Sequence, residues 1–404
     1  MDRRSQWSPM RWPGSWRDAS LLDLIEGTTI NCLVAGGENP ALMDRARRLG
    51  IDVIGESNLP PMRADAVWPA IPAMNAAEGG PTGAPWVDSN GWYIRLARTR
   101  APGEPVWIPV APPKETALRA EHYLLAVADA AAYGGRWLIE LDPKMEAALA
   151  GRDQAAVAQW KSIAKAVRFF DAHREWQSLP PCSALAVISD FAGPNEFIGQ
   201  ELLNLLPRRG ATYRIIDKPR AGAAPLDGIN GIIYPDVQPP DAALHKKLAA
   251  FVENGGVLVA SAKYPVPAGE PASDAYRRWN IYAAGKGRLA ISKEESPDPY
   301  LVASDAQVLV GHRHDVVRYF NFSTLNGYYT ASADGRKAVL HAINYAMRPW
   351  GHPVSIALAT RYAKARMWGL GAAAPEPLEL VPAQNGVEVH LPPFDVYAAI
   401  ELDA

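Results

Sequence analysis

The sequence predicts an α/β chain in three parts: a parallel TIM-type β/α barrel or part of one, a flavodoxin-like layer domain, and a C-terminal antiparallel β-sandwich. Three observations predict it. Strand-like apolar runs alternate with amphipathic helical stretches up to about residue 177, and strands joined through helices lie parallel. A stiff break, Leu179-Pro180-Pro181, then precedes a second alternation of strands and helices. From about residue 308 the apolar period shortens, with Gly, Pro and Asn between short segments, as antiparallel sandwiches require. The expected domains are residues 1–178, 182–305 and 306–404.

In the first part, residues 28–35 (TTINCLVA) are a β-branched strand, 40–49 a helix with its arginines outward, and 51–55 (IDVIG) the next strand. Residues 64–70, 105–110 and 136–141 read as further strands, and 90–99, 116–133 and 154–176 as helices. Five strands are too few for a complete eight-strand barrel, so either the barrel is truncated or further strands are hidden. The middle part shows strands at 184–189, 212–216, 231–234 and 257–261, with helices at 195–206 and 241–254. The last shows short strands at 316–322, 338–344, 354–358, 365–367, 378–381, 387–391 and 396–401.

Composition narrows the function. The 404 residues are 48% apolar and 21% charged, ordinary for a globular chain with ample core. A formal charge of −2 and the lack of any Lys/Arg block argue against a nucleic-acid partner or an anionic membrane and favour a neutral substrate. No run reaches the roughly 18 apolar residues of a membrane span. Residues 1–16 lack the apolar core of a signal peptide, so the expected location is the cytoplasm, or outside it if such a peptide has been removed. Cys32 and Cys182 are too few for a disulfide framework and read as small apolar residues. No metal is expected, since no HxxxH or HxH pair lies near an acid except His312-Arg313-His314-Asp315, and no cofactor, since Gly36-Gly37 lacks the phosphate-loop and dinucleotide patterns.

The chemistry-bearing stretch is residues 84–92 (APWVDSNGW), where two indoles, a carboxylate, a hydroxyl and an amide fall within seven positions. Sugar rings offer apolar faces to aromatic planes and hydroxyl rims to fixed polar groups, so carbohydrate is the expected partner. Parallel barrels collect ligands at C-terminal strand ends. There the sequence sets Glu56, Asp88 and Glu140 as catalytic candidates, and Asn58, Trp68, Trp86, Asn90, Trp92 and Trp107 as sugar-binding ones. Glycoside hydrolysis needs two carboxyl groups, about 5–5.5 Å apart for retention or 6.5–9.5 Å for inversion. Strand alternation opposes Trp137 to Glu140 and turns the acid inward, away from the covering helices. The plainer alternatives are that Trp86 and Trp92 cap a barrel end, Asp88 caps the following helix, Glu56 bridges to Arg63, Glu140 pairs with Arg95 or Arg136, and Asp142 opens a turn before Pro143.

Residues 248–260 (LAAFVENGGVLVA) resemble the class I glutamine-amidotransferase-like domain of multi-domain glycosidases, without a cysteine at a strand-to-helix elbow. Residues 338–345 (AVLHAINY) and 386–400 (GVEVHLPPFDVYAAI) are similar to the small C-terminal β-domains of those enzymes, and residues 126–139 (AVADAAAYGGRWLI) to the approach to their last barrel strand. The order of parts resembles the family-42 beta-galactosidases with a shortened barrel. That resemblance implies a glycoside hydrolase acting on a β-linked sugar through a carboxylate pair in a Trp-lined cleft, assembled as a homo-oligomer. The strand that would carry the family's nucleophile reads Val106-Trp-Ile-Pro-Val110 with no carboxylate, so no catalytic residue carries over by motif. The alternative is a non-catalytic relative that binds carbohydrate or serves in assembly.

Overall fold

The structure, a computed structural model, describes residues 3–36, 39–60, 66–71, 88–114, 117–266, 272–322, 324–349 and 352–404. Its first part holds strands β1 (Pro9–Arg11), β2 (Cys32–Val34), β3 (Asp52–Ile54), β4 (Trp107–Ile108) and β5 (Arg136–Trp137), with helices α1 (Pro40–Arg48), α2 (Gly91–Arg100), α3 (Ala120–Ala131), α4 (Pro143–Ala150) and α5 (Gln154–Ala172). All the pairings are parallel: β1 with β2, β2 with β3, and β4 with β5. A parallel bridge between Met10 and Ile139, with Arg11 N donating to Ile139 O at 2.7 Å, joins the two sheets. The resulting order β4-β5-β1-β2-β3 is chain order taken cyclically, the first strand lying beside the last. Among the described residues no pairing joins β3 to β4. Residues 66–70 of the expected strand 64–70 form no strand, and 64 and 65 lie outside the described residues. Strand β1 is too short for any period to reveal it.

Alternation gives this array two faces. Met10, Leu33, Ile108, Trp137 and Ile139 enter a large core with α3 and α5, while Cys32, Val34, Trp107 and Leu138 form a small core on the opposite face. Helices α1 and α4 begin on Asn39-Pro40 and Asp142-Pro143, whose Asx side chains accept from Leu42 N, and from Lys144 N and Met145 N. Proline suits the first helical position because its missing N–H would have been unsatisfied there. Asp142 therefore caps a helix rather than opening a simple turn.

The middle part comprises β6 (Leu185–Ser189), α6 (Glu196–Arg208), β7 (Arg214–Asp217), β8 (Gly231–Tyr234), α7 (Ala242–Glu253), β9 (Val257–Ala260), β10 (Asp274–Tyr276), β11 (Trp279–Ala284), β12 (Gly287–Ser292) and α8 (Pro299–Val310). Its seven-stranded sheet runs β10-β11-β12-β9-β8-β6-β7, parallel from β12 to β7 with an antiparallel edge. The parallel strands stand in the second-first-third-fourth-fifth order of flavodoxin-like sheets. The β11–β12 hairpin turns close against α7, where Gly287 faces the carbonyls of Val252 and Gly256 with no room for a Cβ. Strands β10 to β12 and α8 lay beyond the sequence reading, and α8 crosses its boundary at residue 305.

The last part contains β13 (Val317–Phe320), β14 (Leu325–Ala331), β15 (Lys337–Asn344), β16 (Val354–Leu358), β17 (Lys364–Gly369), β18 (Glu376–Leu378), β19 (Leu380–Ala383), β20 (Gly386–Leu391) and β21 (Tyr397–Asp403). Two antiparallel sheets, β13-β16-β20-β19 and β14-β15-β21-β17-β18, share a core that includes Ile356 and Val389 from one and Leu340 and Ile400 from the other. The other face of the second sheet, through Val339, Ile343 and Tyr397, packs into the core of α3 and α5.

Candidate functional site

Arg11 ends β1, and because Met10 points into the helix-side core, its own side chain lies on the opposite face. Glu56 opens a 3-10 turn directly after β3, and Glu140 follows Ile139. The guanidinium of Arg11 joins them: Nη1 is hydrogen-bonded to Glu56 Oε1, and Nε lies 2.7 Å from Glu140 Oε2. Two carboxylates on one guanidinium fall within the roughly 10 Å span used by glycoside chemistry. The side chains of Glu56, Glu140 and Arg11 are 51%, 25% and 28% exposed, so a ligand can reach all three. Toward the N-terminal ends of the same strands the face closes. There Trp7 donates to Asp52 Oδ2 at 2.7 Å, and its ring centroid lies 6.0 Å from that of Trp107. Burial, and then the Asp52 charge, pushes the Cys32 thiol up to about 12, leaving it protonated and inert.

The other candidates lie in different surroundings. Asn58 is exposed on the same turn as Glu56. Trp107 is fully buried, and Trp68 packs edge-on to Tyr123 and Trp137 at 5.4 and 5.0 Å in the helix-side core. Both indoles are core, with no face left for a sugar, because burying so large an apolar surface outweighs leaving it at the rim. Asp88 does not cap α2; its Oδ1 lies 3.3 Å from Nη2 of Arg208 on α6. Asn90 precedes α2 but makes no side-chain cap bond. Its amide instead ties Val67 N and Val67 O, both at 2.9 Å, to Asp129 Oδ2, also at 2.9 Å. Helix α2 then enters against the ring of Tyr133, which leaves space for Gly91 alone. Trp92 is half-buried against the core of the middle part. Trp86 lies outside the described residues, as does Arg63.

The structure thus gathers Glu56 and Glu140 around Arg11 with Asn58 beside them, and holds Asp88, Asn90 and Trp92 against α3 and α6. Neither arginine expected near Glu140 is its partner. Arg95 stacks over Tyr213 at 3.8 Å, and Arg136, lowered to about 10 by burial, sits 3.7 Å from Asp171. Arg11 escaped the sequence reading; the one signal was a charged residue inside the apolar phrase Pro9-Met10-Arg11-Trp12.

Asp129 is fully buried, and burial raises it to about 6 against the lowering effect of hydrogen bonds from Tyr345 and Asn90. Among the described residues, no group of three or more His, Cys, Asp or Glu is placed to hold a metal, and no helix is long and apolar enough to cross a membrane.

Against solved structures the chain is similar to alpha-L-fucosidase isoenzyme 2 from Paenibacillus thiaminolyticus, with TM-score 0.52 and 11% identity over 95% of this chain and 79% of that one. It is similar also to beta-galactosidase from Bacillus circulans sp. alkalophilus, with TM-score 0.53 and 10% identity over 92% and 63% of the two chains. A third is Gan42B, a GH42 beta-galactosidase from G. stearothermophilus, with TM-score 0.51 and 11% identity over 78% and 56%. The chain has a glycoside hydrolase-like multi-domain fold. It spans less than two thirds of either beta-galactosidase. No family model and no curated protein matches the sequence.

Proposed function

We propose that this chain is a glycoside hydrolase acting on a β-linked sugar, with Glu56 and Glu140 as its carboxyl pair and Arg11 as the residue that positions them. The observation that carries the reading is the convergence of two distant glutamates on one guanidinium at C-terminal strand ends, where parallel sheets bind ligands. Hydrolysis needs one carboxyl to protonate the leaving oxygen and the other to attack the anomeric carbon or activate water. Glu56 is assigned as the acid, Glu140 as nucleophile or base, and Asn58 as a partner for sugar hydroxyls. Three domains are taken as residues 1–178, 182–310 and 311–404, the second boundary moved from 305 so that α8 stays whole, supported by separate cores in the middle and last parts. The outer edges of β3 and β4, without a strand partner among the described residues, suit cover by a second subunit, so a homo-oligomer is expected. Sedimentation as a monomer at micromolar concentration would defeat that part.

The β-linkage rests on the two beta-galactosidases that share the fold. A panel of aryl β- and α-glycosides, galactosides and fucosides included, tests it. The wild type is expected to cleave a β-glycoside, Glu56→Gln and Glu140→Gln to abolish turnover, and Glu56→Gln to retain sugar binding. Full activity of Glu56→Gln on the best substrate refutes the acid assignment. One observation favours a second reading, a non-catalytic sugar-binding protein: both carboxylates are already engaged by Arg11. Sugar binding with no cleavage of any glycoside by the wild type would establish it.

A further inference from the structure

A cavity of about 680 Å³ opens where α2, the linker at residues 177–182, β7 and the turn after β14 meet, and neither Glu56 nor Glu140 lines it. Its wall contains Arg95, Arg98 and Arg214 and, among the described residues, no Asp, Glu or Lys, in a chain whose formal charge is −2. Among the described residues, none of the three arginines has a carboxylate at ion-pair distance. Arg95 donates to the carbonyl of Tyr213 at 2.5 Å, and Arg98 to the carbonyls of Tyr133 and Gln177 at 2.9 and 2.8 Å. Arg214 donates from Nη1 to the carbonyl of Asp227 at 3.1 Å, and its buried Nε has no acceptor among the described residues. Carbonyl oxygens orient a guanidinium without neutralising it; Arg95 is also stacked on the Tyr213 ring at 3.8 Å, so Arg98 and Arg214 are the two left to meet an anion. Asp334, on the turn between Ala333 and Gly335, does not line the cavity, and its carboxylate accepts from Ser332 Oγ at 2.6 Å and Arg336 N at 3.1 Å.

Size and polarity define the missing anion. The volume lies in the range of small-molecule sites, roughly 300–1,000 Å³, which favour junctions between domains. Ser178, Ser332, Thr360 and Gln177 line the same space; the Ser178 and Ser332 hydroxyls donate to Glu175 O and Asp334 Oδ1 at 2.6 Å each, so what they offer a ligand's hydroxyl groups is acceptor oxygen. We propose that this cavity is a second ligand site, one that takes a small hydroxylated carboxylate of sugar-acid size. The carboxylate meets Arg98 and Arg214, whose planar forks match its two oxygens. The hydroxyls meet Ser332 and Thr360. The inference does not rest on the glycosidase reading.

Isothermal titration of the full chain with D-glucuronate, D-glucose and inorganic sulfate tests it. Glucuronate is expected to bind, with glucose and sulfate at least about tenfold weaker, and Arg214→Gln to weaken glucuronate about tenfold without changing Tm. Ala333→Trp, an indole on an exposed turn residue at the cavity wall, is expected to block binding while the fold is kept, and it decides the matter if Arg214→Gln does not fold. Four results overturn the proposal: no binding of glucuronate, glucose binding as tightly, sulfate binding as tightly (an adventitious ion only), or glucuronate binding untouched by both variants.

Discussion

Tyr345→Phe removes one hydroxyl from the interior, and its effect should depend on pH. Tyr345 is fully buried, and its hydroxyl donates to Asp129 Oδ1 at 2.5 Å. Asp129 Oδ2 accepts from Asn90 N at 3.0 Å and Asn90 Nδ2 at 2.9 Å. Burial raises the carboxyl from 3.8 to about 6, a rise worth about 3 kcal/mol. The folded value lies above the unfolded one, so between about pH 4 and 6 the folded chain holds a proton that the unfolded chain has lost. Asp129 therefore costs nothing below that window, and its penalty grows through the window to full size above it. Above pH 6 the tyrosine donates to a charged acceptor, a bond worth about 1.5–3 kcal/mol, whereas at pH 5 the acceptor is neutral and the bond is worth about 0.5–1.5 kcal/mol. At about 2–4 °C per kcal/mol for a unit of this size, Tm of the N-terminal transition should fall by about 3–12 °C at pH 7.5 and by about 1–6 °C at pH 5. Scanning calorimetry at the two pH values measures the difference. An equal loss at both, or a larger one at pH 5, refutes the assignment of Asp129 as a buried acid held partly by Tyr345.

Arg11→Ala should change stability by less than about 1 kcal/mol, because its ion pairs are partly exposed, yet lower glycoside turnover about a hundredfold by releasing both glutamates; thermal melts and kinetics on one preparation separate the two effects. Trp107→Ala should cost about 3–5 kcal/mol and show as loss of cooperative melting, since the indole is fully buried, whereas the half-buried Trp92 should tolerate Ala at smaller cost. Asp305→Ala should destabilise the middle part by about 3–5 kcal/mol in urea unfolding, because this fully buried carboxylate accepts from Arg277 and Arg278 at 2.9 Å each and from Trp279 at 3.0 Å.

Local patterning carried much of the fold. The run Gly231–Tyr234 is a strand within its sequence bounds, and Gly134-Gly135 follows the end of α3 as expected. Both follow from propensity and chain punctuation, which act within a few residues. Helix α4 and strands β10 to β12 were not read from the sequence, because each is short and sits beside a stronger signal. Glu56 and Glu140 were visible as acids at strand ends, again because strand ends are local.

Which side chains share a site was decided by tertiary structure. Met10 pairs with Ile139, and that single bridge sets Arg11 beside Glu140, while β2 between β1 and β3 sets it within reach of Glu56. No periodicity encodes a pairing between residues so far apart, and a three-residue strand has too few positions to show one. The tryptophans show the same limit from the other side: Trp68 and Trp107 have the composition of a sugar platform, but exposure depends on which neighbours cover them, and here Tyr123, Trp137 and Trp7 do. By itself the sequence determined the periods, the breaks and the residue chemistry, because these arise within one turn or one strand. Only the packing of distant strands and helices decided which acids meet and which indoles are buried, because burial and convergence depend on all parts of the chain at once.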